Sequence, residues 1–228
     1  MTTFRRPNDH FQRLARARLY LVLGDDVGAG STPFEVARAA VGGGAAVVQV
    51  RLKGRATSEV TNFALRVRDA IGDRALLIVN DDVDAALAAG ADGVHVGQGD
   101  LALAEVRRRC GDDVLVGLST HSRAQAIAAS DAGADAIGIG AMFATDTKAA
   151  PVVIGPAALE GLADALGALP IFPIGGITER NVVEIVRRGI GRAAVSRAVT
   201  HAPNPRGAAE RLVEILAAAP LPTTERGR

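Results

Sequence analysis

AGADGVHVG, residues 89–97, ends an Ala-rich amphipathic run and opens a short apolar one. A Gly suits the end of a helix because, lacking a Cβ, it accepts positive φ without a clash. The apolar residues after it suit a buried strand. The same passage from helix to strand recurs as GGGAAVVQV at 42–50, AGADAIGIG at 132–140 and RGIGRAAVS at 188–196. The spacing varies from roughly 43 to 56 residues. One supersecondary unit therefore recurs with variable insertions and is not a strict tandem array.

Outward from these segments, LYLVL (19–23), ALLIVN (75–80), DVLVGLS (113–119) and PIFPIGG (170–176) are apolar and β-rich. The total is eight strands, starting near residues 19, 46, 76, 93, 114, 135, 171 and 192. Helical patterns lie between them at Ser58–Ile71, Val83–Ala89, Leu103–Cys110, Arg123–Ala132 and Pro156–Leu166. Thr32-Pro33-Phe34-Glu35 spells a capping box with Pro at the first helical position. Thr178 and Asn204 read as further N-caps. Strict alternation of helices with near-continuous apolar strands implies a parallel sheet covered by helices. Eight units in 228 residues favour one α/β domain, a closed (β/α)8 TIM barrel, over an open sheet. An open dinucleotide-binding sheet wants G-x-G-x-x-G after its first strand, and the turn Gly24–Gly30 lacks that spacing. The expected organisation is an extension over residues 1–18 forming a helical lead-in, a barrel over 19–218, and a flexible tail over 219–228.

Composition removes several function classes. The net charge is +1, so no global field points to nucleic acid or to an acidic partner. Aromatics make up 3%, with no Trp and one Tyr, too few for base-stacking platforms. A single Cys excludes a disulfide framework and a Cys-rich zinc site. The 26 glycines follow no G-x-y period, which excludes collagen. No apolar run approaches the roughly 20 residues that cross a bilayer. The opening MTTFRRPNDHFQRLARAR has charge but no apolar core, so it is not a secretory signal. It is Arg-rich and lacks Glu, a composition shared with transit peptides, but a helical lead-in is the more ordinary interpretation. The expectation is a soluble cytoplasmic protein with no nucleic-acid or membrane partner. Monomer or homo-oligomer is left open.

In such barrels the chemistry sits at the C-terminal ends of the strands, and the polar residues fall there. Gln49, Arg51 and Lys53 stand at i, i+2 and i+4 after the second strand, which on extended backbone turns them to one side. Two cations and an amide facing inward suit a polyphosphate. The alternative, a solvated strand end, fits less well beside Val47, Val48 and Val50, where unpaired charge is costly. Asp81 and Asp100 come after the third and fourth strands, neighbours in a barrel. Two carboxylates beside a phosphate cradle are what Mg²⁺ uses. Either Asp could instead cap a helix, a role that Asp82 or Asp84 can take over from Asp81. Thr145, Thr147 and Lys148 lie in a loop of about fifteen residues after the sixth strand, a length that often marks function. Gly175-Gly176 and Ser196 come after the last two strands, where these barrels bind phosphate through backbone N–H groups.

Other polar residues carry blander interpretations. His95 alternates with Val94 and Val96 and suits a barrel interior, while His121 comes after the fifth strand. Neither has a second His at metal-ligand spacing, which argues against zinc. Ser119 has no nucleophile-elbow sequence. Cys110 reads as structural, and Arg107–Arg109 with Arg187 and Arg188 as solvated helix faces. The residues thus outline two phosphate sites, one cationic and metal-assisted, the other neutral and built from backbone.

With these motifs in order, residues 19–200 resemble the thiamine-phosphate synthase family. The resemblance rests on Gln49-x-Arg51-x-Lys53, on Asn80-Asp81-Asp82-Val83-Asp84-x-Ala86-Leu87, and on Gly90-Ala91-Asp92-Gly93-Val94-His95-Val96-Gly97-Gln98-x-Asp100. Gly117-Leu118-Ser119-Thr120-His121-Ser122, Phe143-x-Thr145-x-Thr147-Lys148 and Ile174-Gly175-Gly176-Ile177-Thr178 complete it. It implies a transferase that joins hydroxymethylpyrimidine pyrophosphate to hydroxyethylthiazole phosphate, giving thiamine phosphate and pyrophosphate. It further implies that Gln49, Arg51, Lys53, Asn80, Ser119, Thr147 and Lys148 hold the pyrophosphate of the pyrimidine substrate. Asp81 and Asp100 bind Mg²⁺ on the same basis. Thr145 and Gly176, with Val195 and Ser196, hold the thiazole phosphate, and Tyr20 lies against the pyrimidine. Two departures stand out: Ala141 where the family has Pro, and Arg197 where it has a small residue.

Two rival functions fit the same barrel. A thiazole tautomerase-like isomerase would use an acid/base His, with His121 as candidate, and has no need of a diphosphate clamp. A non-catalytic phosphate-binding protein could keep Gly175-Gly176 but has no reason to keep both carboxylates. Asp81, Asp100, Arg51, Lys53 and Lys148 together favour the transferase.

Overall fold

The computed structural model describes residues 7–145 and 152–222. Eight strands form one sheet: β1 Leu19–Leu23, β2 Ala45–Val50, β3 Leu76–Asn80, β4 Gly93–Val96, β5 Leu115–Thr120, β6 Ala136–Ile139, β7 Ile171–Pro173 and β8 Ala193–Val195. All ladders are parallel and run in the order β7-β6-β5-β4-β3-β2-β1-β8. β7 and β8 lie in contact, but among the described residues no ladder joins them. The sheet is therefore a nearly closed barrel, the fold read from the repeats.

The helices obey their local signals. α1 covers Pro7–Arg16, α2 Pro33–Gly42, α3 Thr57–Ile71, α4 Val83–Ala88, α5 Leu103–Cys110 and α6 Arg123–Asp131. After β6 come α7 Leu162–Leu166, α8 Val183–Val186, α9 Arg197–Thr200 and α10 Pro205–Leu216. The capping box before α2 forms in full: Glu35 N–H donates to Thr32 Oγ1, and Thr32 N–H donates to the Glu35 carboxylate. Asn204 caps α10 by accepting from Gly207 N–H at 3.0 Å. Two expectations are corrected. The helix expected over 156–166 is a 3₁₀ turn at Pro156–Leu159 and then α7, separated by Gly161 in a left-handed conformation. Thr178 is not a side-chain cap: its N–H donates to Asn181 Oδ1, and the short α8 begins only after Val182.

The side chains form two apolar layers. Between barrel and helices lie the outward residues of the strands, such as Leu21, Val48, Leu77, Val94, Val116 and Ile137. Inside the barrel Tyr20, Val47, Leu76, Ile78, Leu115, Ala136, Phe172 and Ala194 pack together. Leu14 and Phe11 of α1 pack beneath them and close the lower end. The interior is thus a filled core, as in barrels of this size generally.

Buried charges tie the lower end together. The Asp shared by AGADG and AGADA acquires its task only in three dimensions. Asp92 is buried; its carboxylate accepts from Leu77 N–H at 2.7 Å and pairs with Arg68 at 3.0 Å. His10 of α1 stands 3.3 Å from its other oxygen. Asp135 repeats the pattern, accepting from Val116 N–H at 2.8 Å and pairing with Arg107. Arg107 also donates to Val114 O at 2.7 Å, so its expected place on a solvated face is wrong, while Arg108 and Arg187 are exposed as expected. Buried Arg192 donates to the carbonyls of Ala15 and Ala17 at the end of α1. Arg18 does the same for Leu216 and Ala219 at the end of α10. Cations suit helix C-termini because unpaired carbonyls gather there.

Candidate active site

The turns that leave β3 and β4 organise the upper rim. Asp82, not Asp81, caps α4, accepting from Ala85 N–H at 2.9 Å. Asp81 is left to the rim, and its φ is +63°. A non-Gly residue in the left-handed region is uncommon and carries strain, a feature that clusters at functional sites. The Asp81 N–H donates to His95 O at 2.8 Å and pins the turn. Its carboxyl pairs with Lys53 and hydrogen-bonds to the Asp100 carboxyl. Asp100 caps no helix; it accepts from Gly97 N–H at 2.8 Å.

Electrostatics separates the two carboxyls. Desolvation pushes Asp81 above the usual carboxylate range, Lys53 pulls the other way, and the adjoining Asp100 adds to the rise. Burial also opposes charge on Asp100, but the hydrogen bond from Asp81, the Gly97 N–H and nearby Lys53 hold its carboxyl below that range. Two like charges this close oppose each other's ionisation, and a cation bound beside them would relieve that repulsion. Arg51, just past the end of β2, and Asn80, at the end of β3, are half-buried, and neither side chain bonds to another described residue. An unpaired guanidinium at a strand end is a ready anion ligand.

Gln49 does not join Arg51 and Lys53. It is 4% exposed, inside the barrel, and its Nε2 donates to the Tyr20 hydroxyl at 2.9 Å. Tyr20 packs edge-on against Phe172 at 5.1 Å and His95 at 6.4 Å between centroids, and burial pushes its phenol well up. His95 Nε2 lies 2.9 Å from Ser119 Oγ, and Gln98 Nε2 donates to Ser119 O at 2.7 Å. His121 is exposed, and its Nδ1 donates to Gly140 O at 2.7 Å.

Burial lowers His95 to about 4 from an ordinary 6.5. Between these values the unfolded chain binds a proton that the folded protein refuses, so stability falls as pH drops through the window and levels off below it. The expected loss is about 3 kcal/mol. Urea unfolding of wild type and His95→Gln across that window checks it. The variant should lack this part of the acid slope, and equal slopes would refute it.

On the opposite side of the rim Gly175 and Gly176 have φ of +99° and +64°. A Cβ on Gly176 would lie 2.4 Å from Ala144 O, so the turn packs directly on the loop after β6. Asn181 Nδ2 donates to Gly176 O at 2.9 Å and braces the turn, a role the sequence did not reveal. Val195 is buried at the end of β8, and Ser196 is half-buried at the start of α9. Arg197 turns to the β1–α2 loop, 3.5 Å from Asp26, whose neighbour Asp25 pairs with Arg55 at 2.8 Å. Thr145 is half-buried on the loop after β6, whereas Thr147 and Lys148 lie outside the described residues.

Residues 19–199 match the family model described as thiamine monophosphate synthase. The chain belongs to the thiamine-phosphate synthase family. It is 44% identical over 202 residues to the thiamine-phosphate synthase of Anaeromyxobacter dehalogenans, covering 86% of this chain and 88% of that one. The thiamine-phosphate synthase of Chloroflexus aurantiacus is 41% identical over 198 residues, covering 86% and 90%. Among solved structures, the thiamine phosphate pyrophosphorylase of Pyrococcus furiosus superposes with a TM-score of 0.79 at 32% identity, covering 90% of this chain and 98% of that one. The protein is thus a transferase of thiamine biosynthesis. No described helix is long and apolar enough to cross a membrane.

Proposed function

We propose that this synthase condenses 4-amino-2-methyl-5-hydroxymethylpyrimidine pyrophosphate with 4-methyl-5-(2-hydroxyethyl)thiazole phosphate by a dissociative displacement assisted by Mg²⁺. The observation that carries this is the Asp81–Asp100 carboxyl pair beside Lys53 on the upper rim. A hard oxygen donor set short of one cation fits Mg²⁺. Among the described residues no group of three or more His, Cys, Asp or Glu gathers. Mg²⁺ is commonly held by one or two carboxylates, with water and phosphate oxygens completing its shell. Asp81 and Asp100 would hold it. When bound, it would supply positive charge to the departing diphosphate.

In this mechanism the C–O bond to the diphosphate breaks first and the electron pair leaves with the diphosphate. The aminopyrimidine supports the positive charge left on carbon, and the thiazole nitrogen then closes the new C–N bond. Arg51 and Lys53 stabilise the leaving group, Asn80 and Ser119 donate to its oxygens, and Thr147 and Lys148 are assigned to it as well. Gln49 is tied to Tyr20 inside the barrel and stands with the pyrimidine ring, not with the diphosphate. Gly176, Val195, Ser196 and Thr145 receive the thiazole phosphate. No strong general base is needed, because charge stabilisation and alignment of two substrates supply the catalysis. The proposed compartment is the cytoplasm, since phosphorylated substrates do not cross bilayers unaided.

The test mixes purified protein with both substrates and Mg²⁺ and measures thiamine phosphate and pyrophosphate. Equal amounts of both products, lost on chelating the metal, are expected. No joined product together with isomerisation of the thiazole would replace the transferase with the isomerase.

A further inference from the structure

Ser119 is gripped from two sides, by β4 and by the segment after it. Gln98 fixes its main-chain oxygen at 2.7 Å, and His95 Nε2 meets its hydroxyl oxygen at 2.9 Å. The imidazole sits in a slot cut by two glycines. A Cβ on Gly117 would lie 2.4 Å from His95 Nδ1, and one on Gly138 would lie 3.3 Å from Cε1. Tyr20 bounds the slot edge-on. The ring is only 7% exposed, so it is held with Nε2 facing Ser119.

A neutral imidazole has one N–H, and the side that carries it decides what Ser119 can do. If Nε2 is bare, it takes the hydroxyl proton, and Ser119 offers only lone pairs to the rim, which repel an anion. If Nε2 carries the proton, it donates to Oγ, and the hydroxyl proton is free to point elsewhere. We propose that His95 is a positioning residue that donates Nε2–H to Ser119 Oγ, so that the Ser119 hydroxyl presents its own proton to an oxygen of the diphosphate. This rests on Ser119 being a diphosphate ligand, as proposed above. Burial keeps the imidazole uncharged at neutral pH, so the arrangement is one of tautomer and not of protonation.

A double-mutant cycle tests it. Ser119→Ala is expected to lower kcat/KM about ten- to a hundredfold, the scale of a hydrogen bond to a charged group. His95→Leu should lose a similar factor, and the double variant no more than about threefold beyond either single one. His95→Gln, which keeps an N–H donor, should recover part of the loss. Multiplicative losses, or His95→Gln as impaired as His95→Leu, would overturn the role of His95 while leaving Ser119 a ligand. An unchanged kcat/KM in Ser119→Ala would remove the diphosphate role itself and the inference with it. Nitrogen-15 spectra of the wild-type imidazoles give a readout independent of any variant's folding. Protonated Nε2 with bare Nδ1 is expected for His95, and the reverse tautomer would overturn the proposal.

Discussion

Asp100→Ala lowers kcat/KM by about 100- to 1,000-fold, the scale seen when one preorganised electrostatic group is removed from a reacting centre. The expected size comes from the rim's charge balance. Burial and the adjoining Asp100 carboxyl both disfavour charge on Asp81, while Asp100 is held below the usual carboxylate range. Without Asp100, the remaining carboxyl is matched by Lys53 alone, and the demand for a cation falls. The variant should need more Mg²⁺ for half-maximal rate, and excess Mg²⁺ should restore part of the turnover. Steady-state rates over a Mg²⁺ series measure both effects. A Mg²⁺ dependence identical to wild type would remove Asp100 from the metal site. Asp100 is exposed on the rim, so the loss of rate should come with little loss of stability.

Asp135→Ala has the opposite profile, with a large loss of stability. Its carboxylate is 7% exposed and satisfies both Arg107 and the Val116 N–H. Removing one partner of a buried pair leaves the other charge without compensation, which typically costs about 3–5 kcal/mol. For a chain of this size that corresponds to a fall in melting temperature of roughly 6–20 °C. Asp135→Asn keeps an acceptor for the Val116 N–H and should lose less. Urea unfolding monitored by circular dichroism provides the comparison. A loss below about 1 kcal/mol would mean that Arg107 is served well enough by water and the Val114 carbonyl.

The contrast shows what a linear sequence reveals. Strand positions were legible because a buried parallel strand is a run of apolar residues beside a Gly-ended helix, a signal contained in nine residues such as 89–97. The capping box at Thr32 and the cap at Asn204 were legible because both partners lie three residues apart. The Asp92 and Asp135 straps were not, because Leu77 and Val116 lie 15 and 19 residues away. An Arg such as Arg107 looks the same in sequence whether it faces water or a buried carboxylate. Alternation after β2 grouped Gln49 with Arg51 and Lys53, but the strand stops at Val50. Gln49 lies within the strand and ends up on Tyr20, whereas Lys53 lies beyond it and pairs with Asp81. The break before α7 went unseen because the apolar spacing of 156–166 continues through Gly161, whose left-handed conformation interrupts the helix.

The filled interior beneath Tyr20, sealed by Leu14 and Phe11, has a consequence for traffic. A barrel stopped at one end is a cul-de-sac: whatever reacts at its mouth must depart through the opening by which it arrived. Every reactant and product of this synthase therefore shares a single doorway.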